Sequence, residues 1–442
     1  MTSASVTILR WHELDAQARR RALRRPSERL QERVVDDTKR IIEEVRRDGD
    51  AALARLTLEF DGARVATLAA GETEFAQAQS QLTVAQTSAL DRAIGNVRRF
   101  HELQRTVALS VETSPGVLCE RFEVPIAAVG LYVPAGSAPL PSTAVMLAVP
   151  AMIAGCTTRI LCTPPRPDGT ADPAVLVAAQ RCGIARIFKV GGAQAIAAMA
   201  LGTESIPKVD KIFGPGNAWV TAAKQLLASE SGGAASDLPA GPSEVLVIAD
   251  GSARAEFVAA DLLAQAEHSP DAQAVLVTTS VALAAATQIE LNRQTARLSR
   301  RAILEQSLRA ARIIVVDDLA TAFDVSNAYA PEHLIIATAD ARHWLSRVAN
   351  AGSVFLGHWT PEPLGDYCSG TNHVLPTGGN ARAMSGLSLA DFCKRITVQE
   401  LSSSGLKDLG PVARTLALLE GLDAHANAVT VRLDALAAAG AA

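Results

Sequence analysis

The sequence has 442 residues, 48% hydrophobic and 20% charged, with a formal net charge of −4. That length exceeds one ordinary core and predicts several domains, and the small net charge excludes a global field for nucleic acid or an anionic membrane surface. No run reaches about 18 apolar residues free of charge and turn formers, so no membrane span is expected.

Residues 1–30 are basic, with Arg19-Arg20-Arg21 and Arg24-Arg25. They read as a helical segment with a solvated or partner-facing side, and no aromatic interleaving supports a nucleic-acid arm. This start lacks the apolar core of a signal peptide. Leu30, Val34, Ile41 and Val45 fall at helical spacing, Asp48-Gly49-Asp50 interrupts, and a further helix runs to about Arg105 with Leu90, Ile94, Val97 and Phe100 on one side. The pattern then changes. Val129–Val133 reads as a strand, Pro134, Gly136, Pro139 and Pro141 as a rigid loop, and Ser142 or Thr143 as the cap of a helix over 144–154. Strands at 159–162, 186–190 and 211–213 alternate with helices at 173–182, 193–201 and 217–227. Such alternation predicts a parallel sheet with crossover helices. A second series has strands at 245–248, 274–278, 313–316, 334–336 and 353–356, and a helix over 255–267. Beyond about residue 385 the chain reads as helical. The six cysteines, at 119, 156, 162, 182, 368 and 393, form no C-x-x-C pair, which argues against a zinc knuckle or disulfide framework and fits a reducing, cytoplasmic setting.

The chemistry-bearing candidates are scattered. In Tyr329–Ile336 (YAPEHLII), Pro331 starts an element and Leu334-Ile335-Ile336 reads as a buried strand. Glu332 and His333 are then expected at the mouth of a sheet, where α/β enzymes keep their chemistry. They offer two acid–base groups with different titration ranges, although a surface Glu-His at a strand end looks the same in isolation. No G-x-G-x-x-G occurs, yet Gly191-Gly192-Ala193-Gln194 and Gly214-Pro215-Gly216-Asn217 each follow a strand and open a helix, where bare amides can face a phosphate. Gln265 and His268 are three apart on one helical face. Asp366 falls in a loop of small and polar residues, and His425 follows Glu420 by five in the tail. Zinc needs three or four donors. Spacing alone cannot join these positions, each of which reads by itself as a solvated polar residue. Ser243 follows Ala240-Gly241-Pro242 without the flanking glycines of a nucleophile elbow, so it reads as a turn or hydrogen-bonding residue.

Eight stretches together carry a family resemblance. They are Val129–Leu140 (VGLYVPAGSAPL), Lys189–Ala195 (KVGGAQA), Lys208–Ala218 (KVDKIFGPGNA), Ser236–Val245 (SDLPAGPSEV), Gln265–His268 (QAEH), Tyr329–Ile336, Gly352–Gly357 and Gly365–Thr377 (GDYCSGTNHVLPT). From about residue 30 onward the chain resembles the histidinol dehydrogenases, zinc enzymes of the last two steps of histidine synthesis. The resemblance implies a four-electron oxidation of L-histidinol through L-histidinaldehyde to L-histidine, with two NAD reduced in turn. It implies Gln265, His268, Asp366 and His425 as zinc ligands and Glu332 and His333 as the catalytic pair. Ser243, His373 and Glu420 become substrate contacts, and Tyr132, Gln194 and Asn217 NAD contacts; the zinc ligands and His333 also bind substrate. The implied fold is α/β: two incomplete Rossmann-like parallel-sheet domains with small helical terminal domains, in an intertwined homodimer with shared sites. Its expected division is a helical segment over 1–30, a first discontinuous domain over 31–135 and 243–387 carrying the metal and catalytic residues, a second over 136–242 with the NAD contacts, and a tail over 388–442 reaching the partner subunit. Two departures stand out: Ala135-Gly136 where the family usually has two glycines, and His358 where it more often has Asp. The rival readings are a related zinc dehydrogenase for another small diol or amino alcohol, a zinc hydrolase using Glu332 as base, and a non-catalytic nucleotide-binding protein, which the intact acid–base and metal set disfavours. His373 and Glu420 argue against the first, and a nicotinamide assay with histidinol separates the second.

Overall fold

The computed structural model describes residues 6–25, 32–135, 138–239 and 241–439; the expectations for Gly136, Ala240, Leu30 and the start of the basic segment lie outside them. The strands in chain order are β1 (Thr7–Arg10), β2 (Leu109–Ser114), β3 (Val117–Pro125), β4 (Ala128–Tyr132), β5 (Thr158–Thr163), β6 (Arg186–Lys189) and β7 (Lys211–Phe213). They continue with β8 (Ala235–Ser236), β9 (Glu244–Ala249), β10 (Gln273–Thr278), β11 (Arg312–Val315), β12 (His333–Ala337), β13 (Ser353–Leu356) and β14 (Cys393–Leu401). The chain divides into two units, residues 1–104 with 126–392, and residues 105–125 with 393–442.

The first unit contains two parallel sheets. One has six strands in the order β1-β11-β10-β9-β12-β13, the other five in the order β6-β5-β4-β7-β8. Strands β9, β10 and β12 are buried at every position, as central parallel strands covered on both faces must be. The period of two sorts their side chains. Val245, Val247 and Ala249 pack with the helices Ala255–Ala266 and Val281–Thr295, whereas Leu246 and Ile248 pack toward the helix Leu319–Tyr329. Each such side chain contributes roughly 1.5–3 kcal/mol on full burial. In the five-stranded sheet, Val129 and Leu131 face the helices Pro141–Ala154 and Pro173–Arg181. Tyr132, Ile160 and Cys162 face the helices Glu32–Asp61, Gly192–Leu201 and Ala218–Ala228.

Three features differ from the sequence expectations. The basic segment, expected to be helical, carries a strand as well as the short helix Ala16–Ala22; β1 pairs in parallel with β11 along the sheet edge. Its partner lies some three hundred residues away, so no local pattern announces the pairing. The span 31–135 was expected in one domain with 243–387, but the helices between 32 and 102 pack on those of the five-stranded sheet. The tail is not purely helical. In the second unit β14 pairs antiparallel with β3, which pairs antiparallel with β2, and the helices Ser403–Leu419 and Asp423–Ala439 follow. The β2–β3 hairpin turns through Pro115-Gly116, with Gly116 at φ +78, a position that favours glycine. Among the described residues no helix is long and apolar enough to cross a membrane.

Candidate active site

Glu244 and His333 are the first residues of the neighbouring parallel strands β9 and β12, with His333 opposite Val245. The site therefore lies at the amino-terminal edge of the six-stranded sheet. The sequence reading had placed Glu332 and His333 at its mouth, which in open α/β sheets is the carboxyl edge. Ala330, at φ +56, turns the chain out of the helix Leu319–Tyr329 into Pro331, a left-handed conformation that costs a non-glycine residue about 1–2 kcal/mol. One residue of β9 then holds both acid–base groups. The Glu244 N–H donates to Glu332 Oε2 at 2.8 Å, and the Glu244 carbonyl accepts from His333 Nδ1 at 3.1 Å. A carbonyl can only accept, so Nδ1 carries a proton. Nε2 is buried without an aligned hydrogen-bond partner among the described residues, with Asp366 Oδ1 3.4 Å away.

Gln265, near the end of the helix Ala255–Ala266, is fully buried. With its amide nitrogen turned toward Glu362, it donates to Oε1 at 2.8 Å and Oε2 at 3.2 Å; the reverse orientation would set oxygen against oxygen. The His268 N–H donates to the Gln265 carbonyl, keeping the two side by side. His268, Glu362 and Asp366 each bring a ligand atom within 4.8 Å of the others. Glu362 was not anticipated. Asp366 belongs to a helix, Glu362–Tyr367, rather than to the loop expected for it, and Glu362 stands one turn before it. The available signal was that i,i+4 pair of carboxylates, which share a helical face.

Burial governs the electrostatics. It pushes Glu332 up to about 8, although His333 and the Glu244 N–H favour its charged form. Glu362 is raised for the same reason. Burial also opposes charge on His333, but the carboxylates of Glu362, Glu332 and Asp366 outweigh it and raise that imidazole to about 10. Three carboxylates around one imidazole leave an excess of acidic groups, which a divalent cation would offset. The clustered donors, the His268 imidazole with the Glu362 and Asp366 carboxylates, are of the types that hold zinc.

His373, half-buried, donates from Nδ1 to the backbone carbonyl of Asp366 at 2.8 Å, and its Nε2 lies 3.2 Å from Thr143 Oγ1. Thr143 is thus engaged there, and Leu140 occupies the cap position of the helix Pro141–Ala154. Ser243 directly precedes β9 and is half-buried. Glu420 and His425 belong to the second unit, where both are exposed.

The five-stranded sheet reverses its order between β4 and β7, which makes a switch point at their carboxyl ends, the place where open α/β sheets bind nucleotides. Tyr132 ends β4, and its hydroxyl accepts from the Gly192 N–H at 3.0 Å. Gln194 lies in the first turn of the helix Gly192–Leu201 and is buried. Asn217 caps the helix Ala218–Ala228 by accepting from Val220 N–H at 3.1 Å. Gly214, at φ +125, passes so close to the Tyr132 carbonyl that a Cβ would stand 2.1 Å from it. Asp237 accepts from Gly214 N–H at 2.7 Å and pairs with buried Lys224, bracing this glycine turn.

Glycine turns at a switch point, joined in one chain to a buried acid–base pair and a cluster of metal-type donors, define an α/β dehydrogenase. The histidinol dehydrogenase family model matches residues 23–433. Among curated relatives, the histidinol dehydrogenase of Xanthomonas euvesicatoria pv. vesicatoria is 55% identical over 430 residues, 97% of this chain and 100% of the relative. That of Vibrio vulnificus is 51% identical over 428 residues, covering 97% and 98%. The crystal structure of histidinol dehydrogenase from Elizabethkingia anophelis superposes with a TM-score of 0.94 at 42% identity, covering 99% of both chains. The chain belongs to the histidinol dehydrogenase family, NAD-linked oxidoreductases that catalyse the final steps of histidine biosynthesis.

Proposed function

We propose that this chain oxidises L-histidinol through L-histidinaldehyde to L-histidine by means of Glu332 and His333. Gln265, His268 and Asp366, with His425 of the partner subunit, hold one zinc ion per subunit. Ser243, His373 and Glu420 of the partner subunit contact histidinol, and Tyr132, Gln194 and Asn217 contact NAD. The observation that carries this reading is the buried Nε2 of His333, which stands 3.4 Å from Asp366 Oδ1 in the donor cluster while Nδ1 is committed to the Glu244 carbonyl.

Tyr132, Gln194 and Asn217 would hold NAD, which would supply the hydride acceptor for each of the two successive oxidations. Zinc would supply the point at which the amine and imidazole of the substrate are chelated, and both are good zinc donors. With a cation offsetting the carboxylates that raise its pKa, His333 Nε2 would take the hydroxyl proton as the alcohol becomes the aldehyde. Glu332, whose raised pKa makes it a base effective near neutrality, takes a proton from the water that adds to the aldehyde. After releasing the alcohol's proton to solvent, His333 takes the hydroxyl proton of the hydrate as it becomes the acid. Holding the substrate against these fixed groups converts binding into rate.

A homodimer is supported by the second unit. Its two helices bury only Gly405, Gly410 and Ala426, while Val412, Leu416, Leu418, Leu419, Leu422 and Val431 are exposed, more apolar surface than an unpartnered pair of helices tolerates. A cytoplasmic setting fits six cysteines that form no disulfide with one another. The test is purified, zinc-supplied protein with NAD and histidinol, with NADH and histidine both quantified. Two NADH per histidine are expected, and no rise in the NADH band would overturn the reading.

A further inference from the structure

We infer that Arg25 is a positioning residue for the acid–base pair, acting through Glu244; the inference rests on the roles proposed above for Glu332 and His333. Arg25 lies in the basic segment, which those roles leave unexplained. Its side chain is 14% exposed and that of Glu244 3%. The guanidinium grips both carboxylate oxygens, Nε on Oε1 and Nη2 on Oε2 at 2.8 Å, and Nη2 also donates to the Tyr329 carbonyl at 2.9 Å. It stacks over the Tyr329 ring at 4.0 Å, and the Tyr329 hydroxyl donates to Gln273 Oε1 at 2.9 Å. The Gly378 N–H completes the Glu244 carboxylate at 2.9 Å.

One side chain thus ties together the first residue of β9 and the turn that delivers Pro331, Glu332 and His333. These two segments must hold register for the Glu244 backbone to reach both catalytic groups. Only a planar fork can grip two oxygens and a carbonyl while lying flat on a ring, so lysine cannot replace it. Without Arg25 the buried Glu244 carboxylate has no cation, and the start of β9 must move to hydrate it. A displacement of about 1 Å at a catalytic group costs on the order of a hundredfold in rate.

The experiment compares full-length, zinc-loaded wild type with Arg25→Ala, Arg25→Lys, Glu244→Gln and the double variant Arg25→Ala/Glu244→Gln. Expected for Arg25→Ala is a kcat for histidinol oxidation lowered on the order of a hundredfold, with little change in KM. Millimolar guanidinium should restore much of that loss. Lysine should not rescue, and the double variant should lose little more than either single one, as residues in one network do. A crystal structure of Arg25→Lys should show the Glu244 N–H beyond hydrogen-bond reach of Glu332. If Arg25→Ala does not fold, the lysine variant carries both arms. Wild-type kcat in Arg25→Lys, a loss that merely tracks the folded fraction, or an unmoved Glu244–Glu332 contact overturns the inference. An inert wild type refutes the proposed function instead, and the crystallographic arm still decides on Arg25.

Discussion

Replacing Glu332 by glutamine keeps the shape of the side chain and an oxygen for the Glu244 N–H, and removes only the ionisation. In the metal-free protein the effect on stability follows from the raised pKa. Burial holds the folded carboxyl at about 8 against 4.5 in the unfolded chain, a difference that amounts to about 5 kcal/mol. The sign is that of an acid that holds its proton longer when folded. Its contribution is fully present below pH 4.5, is lost as the pH rises toward about 8, and is constant beyond. Glutamine stays neutral throughout, so the variant should gain on wild type across that window, by up to about 5 kcal/mol. Urea unfolding of both metal-free proteins at pH 5, 7 and 8.5 measures the difference at each point. Parallel profiles for the two proteins would show that Glu332 ionises normally, and the burial argument for its role as a base would fail with it.

Catalysis separates the pair differently. His333→Asn should depress both oxidations by about a hundredfold to ten-thousandfold. Glu332→Gln should spare alcohol oxidation more than aldehyde oxidation; supplying histidinaldehyde directly tests this, and equal losses on both steps would end the division of labour. No thiol is needed, so Cys156→Ser and Cys119→Ser should keep most activity. Cys156 is fully buried with its thiol on the Phe392 carbonyl at 3.7 Å, and a roughly thousandfold loss would reveal covalent catalysis. His268→Ala and His425→Ala should each be inactive, but refolded together with zinc they should recover about a quarter of wild-type activity, because about half the dimers then carry one intact shared site. A mixture that stays dead while wild type refolds would place the tail back in its own chain.

Much of this protein is legible in its sequence. Runs such as Val245–Ile248 and Leu334–Ile336 specify buried parallel strands, because each residue must be apolar when both faces are covered. The glycine turns at 191–192 and 214–216 fall where strands meet helices, and the long motifs specify the family. What the sequence could not supply, beyond candidate residues, are contacts between segments far apart in the chain. Nothing local tells that the backbone of Glu244 holds both Glu332 and His333, that Glu362 faces the amide of Gln265, or that Arg25 reaches the turn before Pro331. For the same reason β1 and β14 were misread, since each is a strand only by virtue of a partner that tertiary folding brings to it. The edge on which the chemistry sits was also decided in three dimensions. Sequence places His333 at the end of a strand, but whether that end meets Asp366 and Gln265 depends on how β9 and β12 pair and on the helices packed beside them.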